Sequence, residues 1–192
     1  MFDYVEDKAF LSRMRNLCGE IMQDCCHYLK EDYDIGAIFY LVGSGAKNLI
    51  VQNASLSIDL DYNLEIVRCE DCEDSTSSLT TGEIHFVRGN PTEFSMDVCI
   101  VCRDTEEDFY RLIHKKTGFT YRDEYYWNKA PHSAGIQKKA KYIKKRGKWQ
   151  LVRTQYLNIK NRYLRQNDHD HPSFICYIEA VNNVYNARMS WK

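Results

Sequence analysis

The sequence predicts an α+β fold, with strands and helices over residues 1–117 and a helical, basic part over 118–192. Three observations carry this expectation. Leu56 to Val67 alternates apolar and polar side chains, the period of a half-buried strand. From Phe10 to Leu29 the apolar residues recur at three- and four-residue spacing, the period of one helical face. From Gln137 to Gln166 there are 11 Lys and Arg and no Asp or Glu, on a chain whose net charge is −1.

In chain order, Asp3 and Glu6 have the spacing of a capping box, which opens a helix expected from about Tyr4 to Lys30. Ala37 to Val42 is a short apolar run ending at Gly43-Ser44-Gly45, a buried strand broken by a glycine turn. Ala46 to Val51 fits a short helix. The Leu56–Val67 strand then puts Leu60, Tyr62 and Leu64 on one face and Asp59, Asp61 and Asn63 on the other. The acidic stretch Arg68 to Thr81 reads as a loop. Glu83 to Arg88 is a candidate strand, followed by the turn residues Gly89-Asn90-Pro91. Phe94, Met96, Val98 and Ile100 alternate with Ser95, Asp97 and Cys99, which makes another strand. Thr105 to Lys115 is expected to be helical. Helices are then expected at Ala134–Arg146, Lys148–Arg165 and Ser173–Arg188, the last entered through Asp170-His171-Pro172.

The chain has 192 residues, 44% of them hydrophobic, which supports a buried core and excludes a disordered chain. No apolar run reaches the roughly 18 residues of a membrane span. The N-terminal MFDYVEDKAF lacks the basic-then-apolar order of a secretory signal. A cytoplasmic protein without membrane contact is therefore expected, and its eight cysteines are expected to be reduced thiols. Outside the basic segment, 15 basic residues face 27 acidic ones. Such a cationic stretch on an otherwise acidic chain suggests a polyanionic partner, a triphosphate or a nucleic acid.

The residues with chemistry are acidic. Asp59 and Asp61 stand two apart on one strand and share a face. Like charges held together favour cations between them. Magnesium suits the place, because it takes oxygen ligands and leaves positions for substrate phosphates. Asp97, on the polar face of a later strand, is the third carboxylate that a two-metal site needs. The Gly43-Ser44 turn lets backbone N–H groups approach a phosphate. The residues from Gly43 to Asn48 do not fit the Walker spacing.

Taken in order, Gly43-Ser44, Asp59-Leu60-Asp61 and Met96-Asp97-Val98 resemble the core motifs of the polymerase β-type nucleotidyltransferase superfamily, over roughly residues 36–103. The spacer from Ser44 to Asp59 is on the long side for that pattern. The resemblance implies a nucleotidyltransferase-like sheet flanked by helices, and transfer of a nucleotide from a nucleoside triphosphate such as ATP to a hydroxyl acceptor. It implies that Gly43 and Ser44 hold phosphates; Lys47 and, in the basic segment, Lys144 are separate candidates for nucleotide-binding cations. It also implies that Asp59, Asp61 and Asp97 bind two Mg2+ ions, or Mn2+, and that Asp97 helps deprotonate the acceptor. RNA, a nucleotide, a protein and a small molecule all stay open as acceptors. A different class fits the basic helices alone, namely a catalytically silent nucleic-acid-binding or antitoxin-like module.

Other signals are weaker. Cys69-x-x-Cys72 is half of a zinc site, without a second pair at suitable spacing. His169-x-His171 reads more simply as a helix-entry loop. Tyr142, Trp149, Tyr156 and Tyr163 recur every seven residues, as aromatics do when a helix buries one face.

Overall fold

The chain is a mixed α+β protein. The computed structural model describes residues 1–54, 56–69, 82–87, 92–115, 124–130, 133–168 and 173–191. Among them are eight strands and five α-helices, arranged as two compact units. The expected loop over 68–81, Cys72, His169 and His171 fall largely or wholly outside the described residues.

The first unit comprises Asp7–Gly45 and Ser57–Ala130. Its long helix α1 spans Lys8–Tyr33. The capping residue is Asp7, whose Oδ1 accepts from the Phe10 N–H at 2.8 Å, so the expected start at Tyr4 and the Asp3/Glu6 box do not hold. Leu11, Met14, Cys18, Met22 and Leu29 form its buried stripe. Asp34 ends it in the left-handed conformation, its N–H satisfying the Leu29 and Lys30 carbonyls.

The sheet of this unit contains β2 (Gly36–Leu41), β4 (Ile58–Arg68), β6 (Thr92–Arg103), β7 (Phe109–Lys115) and β8 (Glu124–Lys129), adjacent in that order. β5 (Gly82–Val87) lies along the first half of β6, on the edge whose second half takes β7. β4 and β6 run parallel, and the other pairs are antiparallel. Leu60 and Met96 are completely buried on the apolar face, with Ile58, Tyr62, Leu64, Phe94 and Ile100 beside them. The Phe10 ring of α1 meets Phe94 edge-on at 6.4 Å, so α1 covers this face. Each such aliphatic side chain contributes roughly 1.5–3 kcal/mol of burial.

Two expectations fail in this unit. Thr105 to Lys115 is not a helix. Asp104 accepts backbone N–H bonds from Glu106 and Asp108 at 2.9 and 3.0 Å, and the tight turn sends the chain back along β6 as β7. The acidic run resembles a helix start because the same carboxylate chemistry serves turns. The helical expectation beyond residue 117 also misses β8. The division expected near residue 117 falls between β7 and β8, which pair over six residues.

The second unit comprises Met1–Glu6, Ala46–Leu56 and Pro131–Lys192. Here β1 (Phe2–Tyr4) pairs antiparallel with β3 (Val51–Asn53). The helices are α3 (Ala134–Lys145), α4 (Trp149–Arg165) and α5 (Ser173–Asn186), followed by a 3-10 turn at Ala187–Ser190. Leu49, Ile143, Val152, Tyr156, Ile159, Cys176, Ala180 and Val181 form the core. Asn161 holds β1 from both sides, accepting from the Phe2 N–H at 2.7 Å and donating to the Phe2 carbonyl at 3.0 Å. The short helix expected at 46–51 is instead α2 (Gly43–Lys47) followed by β3, and the unit boundary falls inside α2.

Six described cysteines are free, whereas Cys69 is disulfide-bonded, against the expectation of reduced thiols throughout. No helix among the described residues is long and apolar enough to cross a membrane.

Candidate functional site

The parallel register of β4 on β6 sets the geometry. Asp61 lies directly beside Asp97, and Asp59 beside Ser95. Paired residues on neighbouring strands share a face, and so do residues two apart on one strand. Asp59, Asp61 and Asp97 therefore all stand on the face opposite Leu60 and Met96. Strand spacing puts the Asp61 and Asp97 backbones about 4.8 Å apart, and two strand residues set Asp59 roughly 6.6 Å from Asp61. Asp59 and Asp97 are exposed and Asp61 is half-buried.

The glycine turn meets this face at Asp61. The Val42 N–H donates to the Asp61 carbonyl at 2.8 Å, which ties the end of β2 to β4. Gly43 follows with φ +58°. Its α-hydrogen faces the Asp61 side chain, and a β-carbon there would lie 2.8 Å from the Asp61 carboxyl carbon and overlap its Oδ2. Glycine is thus required twice, by the left-handed backbone and by the carboxylate. Gly45 is buried, and a β-carbon there would press on Leu41 and Leu60 side-chain carbons at 3.0–3.2 Å. Arg15 of α1 donates to the Gly45 carbonyl at 3.1 Å and fixes the turn from the helix side. Ser44 is half-buried, and its hydroxyl makes no hydrogen bond to the described residues.

Alignment on one face is not closure around an ion. Among the described residues, no three His, Cys, Asp or Glu side chains are gathered as a ready metal-ligand set. The Asp59 Oδ1 accepts a hydrogen bond from the Ser95 hydroxyl, and the Asp61 carboxylate lies against Gly43. The donor set still fits a hard divalent cation, since it is all oxygen and borne on rigid neighbouring strands.

The polar face continues beyond the carboxylates. Tyr40 pairs with Asn63, and burial pushes its hydroxyl above the ordinary tyrosine range. Burial also raises the Cys99 thiol, while the Arg111 guanidinium opposes it. Farther along, buried Glu65 binds the Arg103 Nε at 2.6 Å, and Arg103 also reaches Glu107 at 2.8 Å. Ser95 has a place here that the motif resemblance does not give it. Its position two residues before Asp97, on the same polar alternation, is the signal that finds it.

Lys47 and Lys144 belong to the helical unit and already have partners there. The Lys47 ammonium stands 5.1 Å from the Tyr177 ring centre, and that of Lys144 4.4 Å from the Trp149 ring centre. Of the aromatic series, Tyr156 is core, Trp149 and Tyr163 pack against it, and Tyr142 is 38% exposed.

No protein-family model matches the chain, and no curated protein matches it.

Proposed function

We propose that the chain is a metal-dependent nucleotidyltransferase of the polymerase β type, with its catalytic residues on the polar face of β4 and β6. One observation carries this reading. Asp61 stands in register with Asp97 and packs against Gly43, so three sequence-distant motifs meet at one side chain.

In the proposed reaction, an acceptor hydroxyl oxygen bonds to the α-phosphorus of a nucleoside triphosphate. The bond from that phosphorus to the α–β bridging oxygen breaks, and pyrophosphate leaves. Asp59, Asp61 and Asp97 would hold two Mg2+ or Mn2+ ions, whose positive charge offsets that of the triphosphate and the developing leaving group. Asp97 is exposed, and its carboxylate can take the proton of the acceptor hydroxyl. The Ser95 hydroxyl orients Asp59. Gly43 and Ser44 would hold phosphate through backbone N–H groups and the Ser44 hydroxyl. With five residues, α2 is too short for a substantial dipole, so direct hydrogen bonds must supply that binding.

The test is incubation with each labelled triphosphate, Mg2+, and total cellular RNA or protein. Magnesium-dependent label in one acceptor fraction, abolished in Asp61→Ala, supports the proposal. Label that never leaves the triphosphate pool under any of these conditions contradicts it. The second reading, a silent nucleic-acid-binding module, is favoured by the basic segment alone. It would show no magnesium-dependent triphosphate binding and no transfer of label to any acceptor. Clustered carboxylates add nothing to a surface for polyanions, which is why the enzymatic reading comes first.

A further inference from the structure

We propose that the helical unit carries a binding groove for single-stranded nucleic acid, with bases lodged beside Trp191 and phosphates along the cations of α3. This inference is independent of the transfer reaction and involves none of its proposed residues.

A groove of about 440 Å3 lies among α4, α5 and the C-terminal 3-10 turn. Leu151 and Val184 give it apolar surface, Gln155 and Asn183 contribute amides, and Trp191 and Lys148 complete the lining. An aromatic surface with a few hydrogen-bonding amides suits a nucleobase, which offers a flat face and a polar edge. Trp191 links the groove to α3. Its ring centre is 6.2 Å from that of Tyr142, which in turn is 5.6 Å from Tyr185. Trp191 is half-buried and Tyr142 is 38% exposed.

Around Tyr142 the charge is positive. Lys138, Lys141 and Lys145 are exposed on successive turns of α3, and none makes an ion pair among the described residues. The Arg146 guanidinium lies 5.4 Å from the Tyr142 ring centre. Other cations are occupied. Lys139 donates to Asn182 at 2.7 Å, and Lys144 stacks on Trp149. A cation in the last turn of a helix offsets its dipole, which accounts for Lys145 but not for Lys138 or Lys141. Unpaired like charges in one patch repel, and a polyanion relieves that repulsion while releasing counterions. An acidic peptide would meet the charges but leave the aromatic groove without a purpose. A duplex presents phosphates but hides its base faces. A single strand uses both features.

The experiment uses the full chain, without Mg2+ or triphosphate, and a fluorescein-labelled 16-nucleotide oligouridylate read by anisotropy at several salt concentrations. Lys141→Glu with Lys145→Glu should weaken binding at least tenfold. It should also flatten the log–log salt slope by about 1.4, since each single-strand phosphate that a lysine neutralises adds roughly 0.7 to that slope. Trp191→Ala should weaken binding about tenfold at unchanged slope, and Trp191→Phe should largely restore it. Leu151 is 41% exposed, so Leu151→Glu tests the groove without disturbing the core and should also weaken binding. Lys30→Glu, at an exposed cation near the end of α1 in the sheet unit, should bind as the wild type does. Absence of binding, equal competition by duplex or polyglutamate, or unchanged affinity in both the Trp191→Ala and Leu151→Glu variants would overturn the proposal.

Discussion

Gly43 holds its backbone at φ +58° while the Asp61 carboxylate occupies the space of a β-carbon. Gly43→Ala therefore strains the backbone by roughly 1–2 kcal/mol and displaces Asp61 as well. We expect its melting temperature to fall by about 2–8 °C and its magnesium-dependent triphosphate binding to weaken at least tenfold. Calorimetry and a binding titration measure both, and unchanged affinity would separate Gly43 from the site. Asp61→Ala is expected to abolish transfer while leaving the circular dichroism spectrum intact, and retained turnover would remove Asp61 from catalysis. At this scale the carboxylates are legible because strand alternation has a strict period of two, so phase alone puts Asp59 and Asp61 on one face and Asp97 on the polar face of its own strand. The register that sets Asp97 beside Asp61 is not legible, because it depends on pairing between strands more than 30 residues apart. The partners of Lys47 and Lys144 are hidden for a related reason. A cation above an aromatic ring has no sequence spacing that announces it, and Tyr177 is 130 positions beyond Lys47.

Local patterns identify the long elements and fail where tertiary pairing decides. α1 and the helices of the second unit follow their apolar stripes. β7 does not, because Asp104 to Asp108 carries the carboxylates of a helix start and spends them on a hairpin turn. β1 is three residues long and exists through its pairing with β3 and its two bonds to Asn161. Two measurements bear on the sheet unit. Arg103→Met should lower the urea midpoint of this unit, because the Glu65 side chain, 5% exposed, loses its ionic partner. An unchanged midpoint would mean that Glu65 finds water without that partner. Burial also raises the Cys18 thiol from 9.0 to about 11 and the Tyr62 hydroxyl from 10.0 to about 12. The folded chain holds these protons more tightly than the unfolded one. Their stabilising contribution is complete below about pH 9 and is lost as pH rises toward 11 and 12. Urea midpoints should fall between pH 8 and 10.5, with a smaller fall in Cys18→Ala, and a flat profile would contradict the burial assignment.

Charge divides the whole molecule. The 11 cations between Gln137 and Gln166 all lie in the helical unit, while the three candidate carboxylates all lie in the sheet unit. The α+β class and the basic helical end follow directly from hydrophobic period and composition. The interleaving of the units does not, since residues 1–6 and 46–56 join the helices through strand pairing and contacts between distant segments. Central to the proposed function is that Asp59, Asp61 and Asp97 share divalent ions beside Gly43 and Ser44. Manganese binding, read by electron paramagnetic resonance in the presence of a non-hydrolysable ATP analogue, tests this most directly. We expect two Mn2+ ions per wild-type chain and at least one fewer in Asp61→Asn of unchanged fold. Equal Mn2+ retention by the wild type and Asp61→Asn would contradict it, as would no retention by the wild type.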